Sequence, residues 1–425
     1  METSQSWIAN VEILNSLLRK ESWYNTFFAK FSGNVDISDD DNGNKVYSPS
    51  GKPIEILNSF ISEGRDNMLI PFLSELSGSP VFGDTVLKGT GEDQSMKWLR
   101  SFVNQYRKAV MKKSGSMSEQ RQKIFKLYDE ARPQLARWFT KFENQAIFQA
   151  FYEGASPNLT VGTASDGLGL ARRYHPNWYI NDGGVLTTIG SEKTLKTNTL
   201  LDAALGQTAA DDATCDTAMT SAILRSLRVK CMGLKIPQMI TKGGHKYWAL
   251  VVHPNQMKAL QGDGDYETAQ RHAFMGSGSM PEMEGAAGFY AGFCIYEDIV
   301  GIREWDETNA TFMGTTTAAR LDDSAVTLNT AGSRIYNALV FGNSAMGKGV
   351  AQDLHFTNEI DDHENTIEIG GAVINGYNRN EYFAEDDGTV GSGDAFYNKQ
   401  TTSHDAAALS AVNQSSLILA THETV

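Results

Sequence analysis

Gly342-Asn-Ser-Ala-Met-Gly347-Lys348-Gly349 is the segment whose residue types and spacing come closest to a chemical site. It follows the apolar run 335–341, and Gly-x4-Gly-Lys is the spacing of a phosphate-binding loop. In such a loop backbone N–H groups cradle phosphates and the lysine meets the outer ones. The pattern breaks at position 349, which is Gly where a Ser or Thr hydroxyl would ligate magnesium. No later strand ends in the Asp that would complete a metal site. The plainer expectation is a strand entering a helix through small residues. A nucleotide-binding enzyme using the loop from Gly342 to Lys348 is the alternative.

Other chemistry-bearing residues form no fuller constellation. His363 lies in Glu359-Ile-Asp-Asp-His-Glu364, dense in oxygen and nitrogen donors, but it reads more simply as a charged turn before a strand. His245 and His253 flank one apolar run with no third ligand in view. Asp39, Asp40 and Asp41 lack the glycine spacing of a calcium loop, and Gly262-Asp-Gly-Asp is a turn by composition. Neither Gly-x-Ser-x-Gly nor His-Glu-x-x-His occurs. Cys215, Cys231 and Cys294 form no Cys-x-x-Cys pair and read as buried reduced thiols. The expectation is therefore no catalytic residue, no cofactor and no metal.

The elements that would position such residues are clearer. Ser116 and Glu119 have capping-box spacing. After them Ile124, Tyr128, Ala131, Leu135, Trp138, Phe142 and Ala146 recur at steps of three and four. This predicts one amphipathic helix ending near Gly154, about 50–55 Å long at 1.5 Å per residue, with a bend at Pro133. Residues 218–230 read as a second helix, 246–253 as a buried strand, and Pro254 as the start of a helix to about Gln261. Strands are expected at 288–296, 335–341, 366–369 and 372–375. Residues 7–18 and 23–31 read as short amphipathic stretches. Residues 85–88 suggest a strand, 89–93 its tip and 95–110 the return, although Trp98, Phe102 and Tyr106 are four apart and also permit a helix. Residues 155–214 read as β-rich or looped, and 385–425 as polar and rich in Gly, Ser and Thr.

The 425 residues carry 37 Lys plus Arg against 51 Asp plus Glu, a net charge of -14. An acidic chain without a basic block is a poor candidate for tight nucleic-acid binding, which needs cations to neutralise phosphates. No apolar run approaches the roughly 18–20 residues of a membrane span, and the first residues lack a signal-peptide pattern. A chain with extended segments and no catalytic constellation reads as a subunit that works by contact, because apolar arms need neighbours to cover them.

The order of several segments carries a resemblance. They are Ile-Pro-Phe-Leu-Ser-Glu-Leu-Ser-Gly-Ser-Pro-Val-Phe-Gly-Asp-Thr-Val-Leu-Lys-Gly-Thr-Gly-Glu-Asp at 70–93, Tyr-Arg-Lys-Ala-Val at 106–110, and Met-Ser-Glu-Gln-Arg at 117–121. Val-His-Pro-Asn-Gln-Met-Lys-Ala-Leu at 252–260, Leu-Val-Phe-Gly-Asn-Ser-Ala at 339–345 and Asp-Asp-His-Glu-Asn at 361–365 follow. The chain resembles the major capsid proteins of tailed bacteriophages, of the schitovirus type among podophages. The resemblance implies an α+β, Hong Kong 97-type capsid fold. Its parts would be an N-terminal arm over 1–68, an extended E-loop over 69–115 and the spine helix of the peripheral (P) domain over 116–154. A β-rich insertion or P-domain loops over 155–214 and an axial (A) domain over 215–349 would follow. The return to the P domain and a C-terminal tail would take up 350–425.

The implied function is self-assembly into the icosahedral head shell around the phage DNA, with a decoration or portal subunit as the other structural reading. The implied partners are further copies in hexamers and pentamers, portal, scaffold and decoration proteins, and packaged double-stranded DNA held without sequence specificity. No membrane is involved. Some relatives join neighbouring chains through a Lys–Asn bond, but no Lys, Asn and Glu match that pattern, so it is not carried over. Expected inter-subunit contacts are Glu92 and Asp93 at the loop tip with Lys97, Trp98, Arg100, Phe102, Arg107 and Lys108 on the return. Lys348→Ala is expected to leave assembly nearly intact.

Overall fold

The computed structural model describes residues 26–39, 45–48, 50–57, 67–73, 82, 96–112, 127–156, 175, 177–188, 195–196, 213–215, 217–240, 244, 246–275, 285–299, 301–306, 311–312, 333–361, 366–380, 382–383, 411–413 and 415–424. A 3-10 turn, Phe27–Phe31, leads into β1 (Ser32–Asn34) and β2 (Ile54–Leu57). The strands β3 (Asn67–Leu73), β4 (Met96–Phe102) and β5 (Asn104–Lys112) precede helix α1 (Leu127–Glu153). Then come β6 (Trp178–Asp182), β7 (Val185–Thr188), α2 (Ser221–Gly233), β8 (Lys246–Val252), α3 (Pro254–Gln261) and α4 (Gly264–Met275). The last are β9 (Gly288–Tyr290), β10 (Phe293–Glu297), β11 (Ser333–Phe341), β12 (Met346–Asp361), β13 (Thr366–Arg379) and β14 (Ser416–Thr424).

Two sheets organise the chain. The first runs β1-β2-β12-β13-β5, and α1 packs on it. Gly371 allows the close approach: a Cβ there would press into the Phe139 ring of α1. The second runs β7-β6-β14-β11-β8-β10-β9, with Arg303–Asp306 added beside β11. Its strand β8 is apolar without alternation because both faces are covered. Ala249 and Val251 join one core with Phe148 of α1, while Trp248, Leu250 and Val252 join another with Ile223, Leu224 and Leu227 of α2.

Helix α1 links the sheets. From Leu135 to Phe142 it buries a stripe, as its spacing predicts. From Gln145 to Tyr152 every side chain is buried, so its last two turns run through core rather than along a surface. It stops at Gly154, whose φ of 90° is the left-handed geometry of a glycine stop. The orphan carbonyl of Phe151 accepts from Arg379 Nη1 at 2.5 Å, a fully buried cation at the negative helix end. The turn Phe27–Phe31 is held there too: Phe28 lies 4.9 Å from Phe148 and Phe31 5.3 Å from Phe341, both edge-on.

Several expectations are revised. Over 96–110 the chain is extended, as the reading of a return strand had it, and the helical alternative falls; a spacing of four fits one face of a strand as well as of a helix. The return strand β4 pairs with β3, from Asn67↔Phe102 to Leu73↔Met96, while β5 pairs with β13 in the first sheet. Residues 288–296 form a hairpin, β9–β10, turning at Ala291 and Gly292, both at positive φ. Residues 366–375 are one strand, β13. The stretch read as polar, 385–425, contains β14, which lies between β6 and β11. The amphipathic stretch 7–18, the capping box at Ser116 and Glu119, the strand 85–88 with its tip, His245, His363, most of 155–214 and most of 306–332 lie outside the described residues.

Candidate functional site

The segment from Gly342 to Gly349 is a turn that joins the end of β11 to the start of β12, not a strand entering a helix. Its backbone donors are already taken. Gly342 N–H donates to the Ser415 carbonyl at 2.8 Å, Asn343 N–H to Pro237 at 2.9 Å and Ser344 N–H to Lys52 at 3.0 Å. Ala345 and Met346 N–H both donate to the Pro53 carbonyl, at 2.7 and 3.0 Å. These are the groups a phosphate would need. Gly342 itself is required by packing: a Cβ there would overlap the Pro237 carbonyl and the Ile236 side chain. The motif marks a junction where four chain segments meet.

Lys348 leaves that junction pointing inward. Its Nζ is 3.8 Å from Glu143 Oε1 of α1 and 5.3 Å from the ring centroid of Tyr377. Asn375 Nδ2 donates to the same Glu143 oxygen at 3.4 Å. All four side chains are buried. Burial raises the Glu143 carboxyl above the ordinary range, Lys348 and Asn375 pull it back, and Asp353 adds to the rise. Burial, then the nearby Glu143 charge, pushes the Tyr106 and Tyr377 hydroxyls well up. A lysine held in this way does not meet a nucleotide, which removes the support for the enzyme alternative.

His253 does structural work as well. It caps α3, its Nδ1 accepting from Asn255 N–H at 3.2 Å, and its ring stacks on Tyr336 with centroids 4.1 Å apart. Among the described residues no group of three His, Cys, Asp or Glu side chains could hold a metal. The three cysteines are buried and unpaired with one another.

With catalysis unsupported, the comparisons with known proteins decide the reading. The family model described as "Phage capsid protein" matches residues 35–397. The chain belongs to the phage capsid protein family. No curated protein matches it. Among solved structures, the capsid of Ralstonia phage GP4 is similar at a TM-score of 0.57 and 13% identity, covering 94% of this chain and 92% of that one. The acid-stable capsid of Helicobacter pylori bacteriophage KHP30 gives 0.56 and 10%, also over 94% and 92%. The capsid asymmetric unit of cyanophage Pam1 gives 0.52 and 15%, over 93% and 92%. These likenesses show an α+β fold related to the Hong Kong 97-type capsid fold.

For a phage capsid protein the working sites are surfaces, and the residues expected at contacts fall in three places. Lys97, Trp98, Arg100 and Phe102 belong to β4, in a ribbon of two strands outside both large sheets. Glu92 and Asp93 lie outside the described residues. Arg107 and Lys108 belong to β5 and pair in register with Ala372 and Gly371, so the structure separates them from the ribbon. Both are exposed, and Lys108 Nζ stands 5.8 Å from the Trp138 ring centroid. Val229 and Met232 on α2, and Ile240 in the short strand Met239–Ile240 that pairs with β8, are more than half exposed. Sequence reasoning passed over these three, although Val229 and Met232 fall off the buried stripe of α2.

Proposed function

We propose that the chain is a major capsid protein that self-assembles into the icosahedral head shell enclosing a phage DNA genome. The observation that carries this is the family match across residues 35–397, joined to a fold shared along nearly the whole length with solved phage capsids. The ribbon β3–β4 supports it: among the described residues its two strands pair with no third, and an isolated pair of strands is marginal until it packs on something such as a neighbouring subunit. On this reading residues 1–68 are the N-terminal arm, the ribbon is the E-loop, α1 is the spine of the P domain, and the second sheet with α2, α3 and α4 is the A domain. β5, β12 and β13 then belong with the spine helix.

The copies would associate as hexamers and pentamers in the virion, formed in the host bacterial cytoplasm with portal and scaffold proteins and with decoration proteins on the finished shell. The net charge of -14 suits a wall that must not hold packaged DNA tightly. Placement beside the schitovirus-type podophage capsids rests on the order of the motifs at 70–93, 252–260 and 361–365. Negative-stain microscopy of the purified chain, alone and with a scaffold, tests the function. Closed shells or tubes are the expected result. A single ring would indicate a portal, and a monodisperse monomer under every assembly condition would overturn the proposal.

A further inference from the structure

The buried cluster behind α1 holds more than an ion pair needs. One oxygen, Glu143 Oε1, is shared by the Lys348 ammonium nitrogen at 3.8 Å and the Asn375 amide nitrogen at 3.4 Å. Lys348 pairs with Tyr377 and Val350 with Asn375 in the antiparallel β12–β13 register. Lys348 and Asn375 are therefore diagonal neighbours on one face of the sheet, a separation of about 7–8 Å between Cα atoms that a lysine side chain spans. Four polar atoms around them have no hydrogen-bond partner: Glu143 Oε2, Asn375 Oδ1, Tyr106 Oη and Tyr377 Oη. The Asn375 side chain stands beside both hydroxyls. Buried polar groups are normally satisfied, so a set of four at one spot asks for a reason.

We propose that Lys348 and Asn375 become joined by an isopeptide bond inside a single subunit, with Glu143 carrying the protons. In a water-excluded pocket the ammonium can give its proton to the adjacent carboxylate, leaving a neutral amine and a neutral acid. The Nζ lone pair then attacks Asn375 Cγ. Negative charge gathers on Oδ1, where the two unpartnered tyrosine hydroxyls can donate. Glu143 delivers the proton it holds to Nδ2 and takes the second amine proton in its place. The Cγ–Nδ2 bond breaks and ammonia leaves. The balance is one amine and one primary amide giving one secondary amide and ammonia, with no oxidant or reductant. Nucleophile, electrophile and proton carrier come from β12, β13 and α1, so folding itself supplies the proximity. The bond would clasp the two longest strands of the first sheet under the spine helix, within one chain and not between chains. It stands apart from the assembly reading, since it is read on the folded subunit whether or not shells form.

Intact-mass measurement of the purified full chain, kept folded at neutral pH, tests it. The expected mass is below that of the sequence by one ammonia, about 17 Da. Proteolysis should yield one branched peptide holding both Lys348 and Asn375. Lys348→Arg and Glu143→Gln should each restore the full mass. A loss that persists in Lys348→Arg would be a succinimide at Asn375-Gly376 and would overturn the proposal, as would full mass in the unaltered chain. If either variant does not fold, the presence or absence of the branched peptide in the unaltered chain decides the matter alone.

Discussion

Lys348 and Glu423 show how differently two buried ionisable residues act. While unjoined to Asn375, Lys348 neutralises Glu143 where no water reaches. Lys348→Ala therefore leaves a buried carboxylate unpaired, and a loss of about 3 kcal/mol is expected from denaturant midpoints. The pair Lys348→Met with Glu143→Leu should recover the part of that loss that comes from the unpaired charge, because it removes both charges together, and not the part that comes from losing a bond to Asn375. The partners described for Glu423 are neutral. Burial raises its carboxyl to about 7, while the Met219 N–H at 2.9 Å and the Thr421 hydroxyl at 3.0 Å hold it back. A carboxyl raised on folding binds its proton more tightly when folded. Its contribution is full below the ordinary value of 4.5 and is lost as pH rises through about 7. Between pH 5 and 8 the loss should be on the order of 3 kcal/mol. Thermal melts of Glu423→Gln should lack that slope; an unchanged slope would assign it to other groups.

At the scale of elements, packing explains both what the sequence made legible and what it hid. The strand β8 and helix α3 were readable because an unbroken apolar run and a proline at the first helical position act locally. The role of Gly342 was not, since the carbonyl it makes room for belongs to Pro237. Gly342→Ala should cost about 1–3 kcal/mol through overpacking, measured by urea unfolding. Glu143 escaped notice as the partner of Lys348 because it looked like one more polar position on a helix, and only the helix's burial on all sides brings it inside. The strand β14 was missed because Leu417, Ile418, Leu419 and Ala420 sit within a long Gly, Ser and Thr background that set the composition. The ribbon was anticipated as an extended loop with 85–88 as its outgoing strand, but the strand paired with the return is Asn67–Leu73, in which Pro71 fits a strand at an edge. Deleting residues 89–94 should leave a soluble, folded subunit whose shells fail to form or fall apart at lower temperature. Equally heat-stable shells, scored by microscopy after heating, would show that the ribbon has no part in assembly.

For the whole molecule, the two sheets depend on shared pieces rather than on separate cores. Phe341 at the end of β11 lies 5.4 Å from Phe151 of α1, and Tyr152 donates to the Asn337 carbonyl at 2.5 Å. The helix that braces the first sheet thus also plugs the second. A chain truncated before Ser416 should lose both: β14 supplies the middle of the second sheet, and Asn413 caps it by accepting from Ser415 and Ser416 N–H. The expected outcome is an insoluble product, and soluble truncated protein with unchanged circular dichroism would contradict it.

The central position of β14 also sets a schedule. Its neighbours β6 and β11 are made long before it, and until it arrives each presents an open, apolar strand edge. Translation at about 5–20 residues per second leaves the β11 edge waiting for several seconds. Exposed edges of that kind are templates for pairing with another chain. A nascent subunit therefore passes through an interval in which its neighbours on the polysome are hazardous company. The yield of subunits should then depend on how well the host's chaperones shield that interval, and slowing translation between residues 342 and 415 with rare codons should raise the aggregated fraction.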